Sequence, residues 1–492
     1  MENQLVVRTV SFLVGMLFSL NAWSQPSFYK VYSGNGYDKG EGIAQLPDSG
    51  YLVTGSSSSF EEAPSQVFLM RLDSLGNFKW SRAYGGPEFE EGKRVLPVPG
   101  YGYYIAGTSS SGVSANFDTY LLFTDETGTK LWETFTDEGA WERVHDAILL
   151  PDTSVFIVGE TDSTSNGNTD LFLARYDKVG SLLWKKKWGS EGNDVAYSVI
   201  SATDTTVYVG GTWYVEDSLQ QKAYLAEFHQ DGSLIWQKTY GIEGNYQFND
   251  LAMAGGQIKA IGQRIKTGKI DHDIYNAITD ITGTLQAAEE FYADDDSRYA
   301  CMAHYTANGS DKVFLASQSI NPNIPTYPDG EDCFIARHSS GLYWDGYGIG
   351  YNGVGQDQAN DMRSTSDGYA VTVGFHTTYG TGGNSVFVVK IGNENSFPAP
   401  SSNPVIINIV FVNELVELKE LQVYPNPVTT ELTISVPDTG FDYTLVDPSG
   451  KQFVNGKAWS SQQLDFSSLP QGIYFLQINH ESGESIVVKI VK

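Results

Sequence analysis

Four tryptophans, Trp80, Trp132, Trp184 and Trp236, stand 52 residues apart, and each follows a glycine by four positions: Gly76, Gly128, Gly180 and Gly232. One further step back falls on Phe28, inside the strand-like run Phe28-Tyr29-Lys30-Val31-Tyr32. A fixed period of this length marks a repeat architecture, in which each unit buries an apolar face only by stacking on its neighbours.

The units are clearest between Tyr84 and Trp184. Each opens on a Gly-rich turn and a short strand (Arg94-Val95-Leu96, Ala147-Ile148-Leu149). An apolar strand ending in Gly follows (Tyr103 to Gly107, Val155 to Gly159), then a long polar loop. A third strand ends in Asp-x-x-Gly (Asp125 to Gly128, Asp177 to Gly180), and a fourth carries the Trp. Four strands per unit of this length predicts a propeller blade. Seven units fit between residues 28 and 397. The fifth and sixth are degraded: Gly283 and Gly341 keep the turns, Ala287 replaces the Trp and Trp344 is displaced. The seventh stops after its third strand, so the strand from Phe28 is expected to complete it and close the ring. In the repeated turn the Asp side chain caps and the Gly takes positive φ. His229 and His338 occupy this Asp position and read as turn residues before metal ligands. Each Trp is expected to pack on the next blade.

These segments, with Tyr84-Gly85-Gly86 and the run Trp188 to Ile200, resemble the repeats of bacterial secreted seven-bladed β-propellers. The Asp-x-x-Gly-x-x-x-Trp stretch is also similar to the tryptophan motif of quinoprotein propellers, but no cofactor constellation accompanies it. The resemblance covers 28–397 and implies a fold, not an activity.

Residues 398–404 are Pro/Ser-rich and read as linker, and the apolar run 405–412 suggests an accessory strand within a 398–420 connection. From residue 421 the texture changes. Tyr424-Pro425-Asn426-Pro427 is followed by short alternating strands, by Gly472-Ile473-Tyr474-Phe475, and by Lys489 and Lys492 at the end. The alternation suggests a small β-sandwich. The segment 421–492 closely resembles the type A C-terminal sorting domain of the type IX secretion system of Bacteroidetes. That resemblance implies contact with the type IX machinery, passage across the outer membrane, and a secreted or cell-surface product. The fold expected is therefore all-β: a seven-bladed β-propeller (26–397) closed by the N-terminal strand, then a C-terminal sandwich.

Arg8 and the apolar run 10–20, with Ala22-Trp23-Ser24 after it, read as a signal peptide over 1–25; the run is too short to span a bilayer, and no transmembrane segment is expected. A net charge of −28 argues against nucleic acid as a partner. Cys301 and Cys333 fall on strands one and three of one unit. Such strands lie about 9.5 Å apart, beyond the roughly 7 Å reach of a disulfide, so two buried thiols are expected.

In a four-stranded meander the loops between strands two and three share a face with the loops between blades. Here those loops are long (near 56–65, 108–117, 160–169, 212–221, 263–272, 319–330 and 375–384), and rigidly mounted loops are where binding concentrates. The first strands often begin with an acid: Asp38, Glu90, Glu142, Asp194 and Asp357, with Tyr246 and Ser297 breaking the series. Third strands begin with Asp118, Asp170, Asp273 and Glu331. The same loops carry Phe60, Trp141, Trp213, Tyr214, Tyr327 and Tyr379. Rings beside carboxylates suit sugar recognition, whereas acids at strand starts also serve to tie down loop N–H groups. The ligand-binding set expected on this face is Trp141, Trp213, Tyr214, Tyr246, Asp38, Glu90, Glu142, Asp194 and Asp357. No cofactor and no metal site is expected, with calcium left open for the oxygen-rich loop 162–168. There is no Gly-x-Ser-x-Gly, His-Glu-x-x-His or P-loop, and the seven histidines look scattered. The function expected is non-catalytic binding of a glycan or a protein. The alternatives are a polysaccharide-acting hydrolase or lyase using rim carboxylates, and a structural or adhesive surface component.

Overall fold

A computed structural model describes residues 27–391, 405–408 and 422–492, less the short segments 61–63, 113–115, 137–138, 163–167, 270–271, 292–295, 308–309, 321–331, 340–342, 352–354, 378–382, 426, 447–450 and 481–484. The expected signal peptide, Tyr327, Glu331, Tyr379, Asn426 and the centre of the 162–168 loop lie outside the described residues. Every element among the described residues is a strand, so no helix there is long and apolar enough to cross a membrane.

Six antiparallel four-stranded meanders follow one another over 38–84, 90–136, 142–188, 195–240, 245–291 and 296–351. The seventh sheet orders Asp357–Ser364, Ala370–His376, Ser385–Lys390, Phe28–Ser33 and Val405–Asn408. Its fourth strand is the N-terminal one: Phe28 pairs with Lys390 and Tyr32 with Val386, antiparallel. Val405–Asn408 then adds in parallel to the outer edge of that strand. The first strand of each blade packs on the first strand of the next, and that of blade seven packs on that of blade one. These seven sheets, taken as blades one to seven, form a closed β-propeller as the repeat predicts.

Burial follows from stacking. Second and third strands lie between neighbouring blades and are covered on both faces, as in Val155–Thr161 and Asp170–Tyr176, which explains their unbroken apolar runs. Fourth strands such as Leu234–Tyr240 alternate between exposed and covered positions. The repeated turn behaves as expected. Asp73 accepts from the Leu75 and Asn77 N–H groups and Asp125 from those of Thr127 and Thr129. Gly128 takes φ +81°.

The same glycines explain why the Trp keeps its spacing. A Cβ on Gly128 would lie 2.7 Å from the Trp80 ring, and one on Gly232 would lie 2.7 Å from Trp184. Trp132 covers Gly180, Trp236 covers Gly283, and Phe28 covers Gly76. Each ring of one blade thus covers the turn glycine of the next. A second latch sits four residues on: Tyr32 Oη donates to the Gly76 carbonyl (2.6 Å) and Tyr240 Oη to that of Gly283 (2.6 Å). The Trp rings are half-buried rather than fully buried, because the fourth strand is the outermost.

Cys301 and Cys333 are buried and not joined in a disulfide, on the first and third strands of blade six, as the spacing predicted. Removing residues 27–33 would strip blade seven of its fourth strand and leave Ser385–Lys390 as an open edge. Thermal unfolding of that truncation is expected at a clearly lower temperature and with aggregation; an unchanged melt would mean the ring does not depend on this closure.

The C-terminal strands Gln422–Tyr424, Glu431–Val446, Gln452–Asp465, Ile473–His480 and Ser485–Val491 form one antiparallel unit with its own core of Leu432, Ile434, Leu445, Phe466, Leu476 and Ile490. Two of the motif residues meet directly. The backbones of Gly472 and Lys492 bond each other in both directions (3.0 and 2.9 Å), and Lys492 Nζ donates to the carbonyls of Phe466, Ser467 and Leu469. Tyr424, Pro425 and Pro427 are exposed.

Candidate functional site at the channel mouth

Each first strand carries a β-bulge at the same place. The register shifts between Gly40 and Gly42, Gly92 and Arg94, Val144 and Asp146, Ala196 and Ser198, Phe248 and Asp250, Tyr299 and Cys301, and Ala359 and Asp361. A bulge re-aims one side chain out of the ladder. The bulged residues are Glu41, Lys93, His145, Tyr197, Asn249, Ala300 and Asn360. Six of them line one cavity of about 330 Å³ on the propeller axis, Glu41, Lys93, His145, Tyr197 and Asn249 from blades one to five and Asn360 from blade seven, with Lys39, Gln358 and Phe375 around them. First strands start on the long-loop face, and these residues lie within four positions of those starts, so the cavity is the mouth of the central channel on that face.

Below the mouth lies an ionic floor. Arg94 of blade two bonds Asp146 of blade three (Nε to Oδ1, 2.5 Å) and Asp361 of blade seven (Nη1 to Oδ1, 2.5 Å). The floor carboxylates also cross-tie blades through backbone: Asp146 accepts from Val199 N–H (2.9 Å), Asp250 from Met302 N–H (2.9 Å) and Asp361 from Ile43 N–H (2.9 Å). Burial opposes charge on Asp361, but Arg363 and Arg94 together hold its carboxyl below the usual range. Among the described residues Asp250 makes no ion pair; burial outweighs the pull of Arg363 and Arg94 and pushes it up to about 6. With its folded value above its unfolded one, Asp250 favours the fold fully below about pH 4, and that contribution is lost as pH rises through about 6. Asp250→Asn keeps an acceptor for Met302 and should gain on wild type by roughly 2–3 kcal/mol between pH 4 and pH 8. Urea titrations at both pH values check this, and parallel pH profiles for the two proteins would contradict it.

At the mouth itself, Lys93 Nζ bonds Glu41 (2.9 Å) and Glu91 (3.2 Å) at once. Burial pushes Glu41 up to about 7, against the pull of Lys93. Glu91 is also buried, yet Lys93 and Arg143 hold it below its ordinary value. His145 Nε2 lies 3.1 Å from Glu160 and its ring 5.0 Å from that of Tyr197. Burial, aided by Glu160, pushes the Tyr197 phenol up to about 12. The mouth therefore presents neutral and charged hydrogen-bonding groups from adjacent blades around one small volume.

The sequence-named acids lie elsewhere. Asp38, Glu90, Glu142, Asp194 and Asp357 are buried, not displayed. Asp38 accepts from the Ser57 and Ser59 hydroxyls and the Gly34 N–H, and Glu90 from those of Ser109 and Ser111. Glu142 holds Lys185 and the Thr119 hydroxyl, and Asp194 holds Ser190 and the Tyr214 N–H. Asp38, Glu90 and Asp194 thus tie loops to strand starts, and burial raises their carboxyls. Asp118 is buried as well, and Asp273 pairs with Arg264 (3.2 Å).

The aromatics need correcting too. Phe60 is core. Tyr246 is buried, its hydroxyl on Glu290 (2.9 Å) and Lys222 over its ring. The expected loop 212–221 is largely hairpin, Thr206–Val215 running into Gln220–His229, and Trp213 stacks on Tyr224 at 5.2 Å. Trp141 is half-buried against Phe117, with Arg143 over its ring. Tyr214 lines a cavity of about 350 Å³ with Asn193, Gln221 and Asn245. Much of that lining already bonds between blades, Asn193 to the Thr169 N–H and Asn245 to the Gln221 N–H. The bulge ring was missed although a signal exists: a hydrogen-bonding residue recurs with the Trp period in the first strand, at 41, 93, 145, 197 and 249. His145, seemingly scattered, is one member.

Residues 422–492 match the family model described as secretion system C-terminal sorting domain. That match indicates export through the type IX secretion system to the outside or the surface of the cell, with this domain as the contact with that machinery. No curated protein matches the chain. Among solved structures it is similar to a polysaccharide lyase described as ulvan lyase (10% identity, 75% of this chain and 97% of that one, TM-score 0.47). It is also similar to the Pan2 WD40 domain of Neurospora crassa (10%, 74% and 91%, 0.43). A third likeness is to the β-propeller domain of the trilobed protease of Pyrococcus furiosus (11%, 78% and 98%, 0.41).

Proposed function

We propose that this secreted propeller is a saccharide-binding module whose ligand sits at the channel mouth. One observation carries the reading: five consecutive blades aim a hydrogen-bonding side chain (Glu41, Lys93, His145, Tyr197, Asn249) from the same bulge into one cavity. A polyhydroxylated ring needs such a dense mixture of donors and acceptors, and Phe375 beside it supplies apolar surface. The rim aromatics chosen from sequence are engaged in packing and do not carry the reading.

A second reading, cleavage of a polysaccharide, is favoured by the Glu41–Lys93–Glu91 cluster. Two carboxyls on one ammonium, one pushed up and one down, are the kind of pair that divides acid and base roles. Both readings are tested by retention of the full chain on immobilised polysaccharides, with product ends assayed in the eluate. Retention without new ends, weakened about tenfold or more by Asn249→Ala and unchanged by Trp213→Ala, is the expected result. New reducing or unsaturated ends that vanish in Glu41→Gln would favour the enzyme instead. Retention insensitive to Asn249 would remove the channel mouth as the site.

A further inference from the structure

Resting on the channel-mouth reading, we propose that the ligand is anionic: a saccharide bearing carboxylate or sulfate groups, held at the entrance by Lys39 and Arg143. Two residues before each bulge, the next position outward along the first strand forms an outer ring. There blade one contributes Lys39, blade two Glu91, blade three Arg143, blade five Gln247 and blade seven Gln358. Arg298 holds the same strand position in blade six. The cations below this ring are committed, Lys93 to Glu41 and Glu91, Arg94 to Asp146 and Asp361. Lys39 and Arg143 differ. Among the described residues neither has a carboxylate within ion-pair distance. Each lies over an aromatic ring, Lys39 4.9 Å from the Phe375 centroid and Arg143 5.3 Å from that of Trp141.

A ring face orients a cation without neutralising it. Both side chains are half-buried; Lys39 lines the mouth cavity, and Arg143 stands two residues from His145, which lines it too. The chain as a whole carries −28. Against that background, half-buried cations without a close carboxylate beside a cleft favour an anion there. A neutral sugar would need none of this.

The test titrates the full chain with three oligosaccharide probes of matched length, a polyuronate, a sulfated galactan and a neutral galactan, at low and high salt. Wild type is compared with Lys39→Gln, Arg143→Gln, Arg143→Lys, Tyr197→Phe and the remote control Lys457→Gln, each checked for a native far-UV spectrum. The expected result is tighter binding of one or both anionic probes than of the neutral one, weakening with salt. Each Gln variant at the mouth should weaken it about tenfold or more, Arg143→Lys should restore part of the loss, and Lys457→Gln should bind as wild type. Which anionic probe binds identifies the group. Equal binding of the neutral galactan, sensitive to Tyr197→Phe but not to Lys39 or Arg143, overturns the proposal and leaves the channel-mouth reading standing. Anionic binding unaffected by either Gln variant overturns it as well. Absence of binding by any probe removes both.

Discussion

Replacing Arg94 by methionine is expected to cost the fold about 3–5 kcal/mol, the loss typical of removing one partner from a buried ion cluster. The side chain joins three blades: its own, blade three through Asp146 and blade seven through Asp361. Methionine fills a similar volume and removes the charge, so Asp146 would lose its cation and Asp361 would be left with Arg363 alone. Those carboxylates cannot turn away, because each is fixed by a backbone N–H of the following blade. Urea unfolding should report the loss directly. Adding Asp361→Asn to Arg94→Met should recover part of it, since one of the two carboxylate charges is then gone. A cost under about 1 kcal/mol, the range of exposed pairs, would mean that water already reaches the floor.

Trp184→Ala is expected to cost about 3 kcal/mol, the low end of the range for core aromatics, because the ring is half-buried. It packs edge-on to Phe156 (5.5 Å), under Lys186 (5.5 Å) and against Gly232 of the next blade. Gly232→Ala attacks the same contact from the other side. It places a Cβ 2.7 Å from the ring in a turn at φ +75°, and should cost roughly 1–3 kcal/mol in strain. The two are expected to be less than additive, since an alanine at 184 removes the ring that the new Cβ would strike. Additive losses would mean that Trp184 acts within its own blade and not across the interface.

The fold was legible in the sequence because the signals that set it are local and repeated. Turn Asp, turn Gly and fourth-strand Trp recur at one spacing, and the missing fourth strand of the last blade is matched by the unaccompanied strand at Phe28. The buried thiols followed from strand arithmetic alone. The site was less legible, for a physical reason. Acids at strand starts and aromatics in polar loops mark loop anchoring as often as recognition. Asp38, Glu90 and Asp194 proved to be anchors, with hydroxyls and N–H groups of their own loops around them. Trp213 looked like loop because a polar stretch surrounds it, yet hairpin pairing carries it to Val215 and stacks it on Tyr224. The channel ring is invisible to a search for catalytic motifs because each blade gives one residue of a different type. It emerges only when the blades are laid over one another and the bulge is known to turn position 41 and its equivalents inward.

The most direct measurement is the position of a bound oligosaccharide on the full chain, by crystallography of a complex with whichever probe the retention assay selects. A sugar ring on the propeller axis, within hydrogen-bond reach of Tyr197 and Asn249 and in contact with Phe375, is the predicted result. A sugar seated instead in the cavity beside Tyr214 and Asn245, or along the outer fourth strands with the axis empty, would contradict the assignment of the channel mouth as the site.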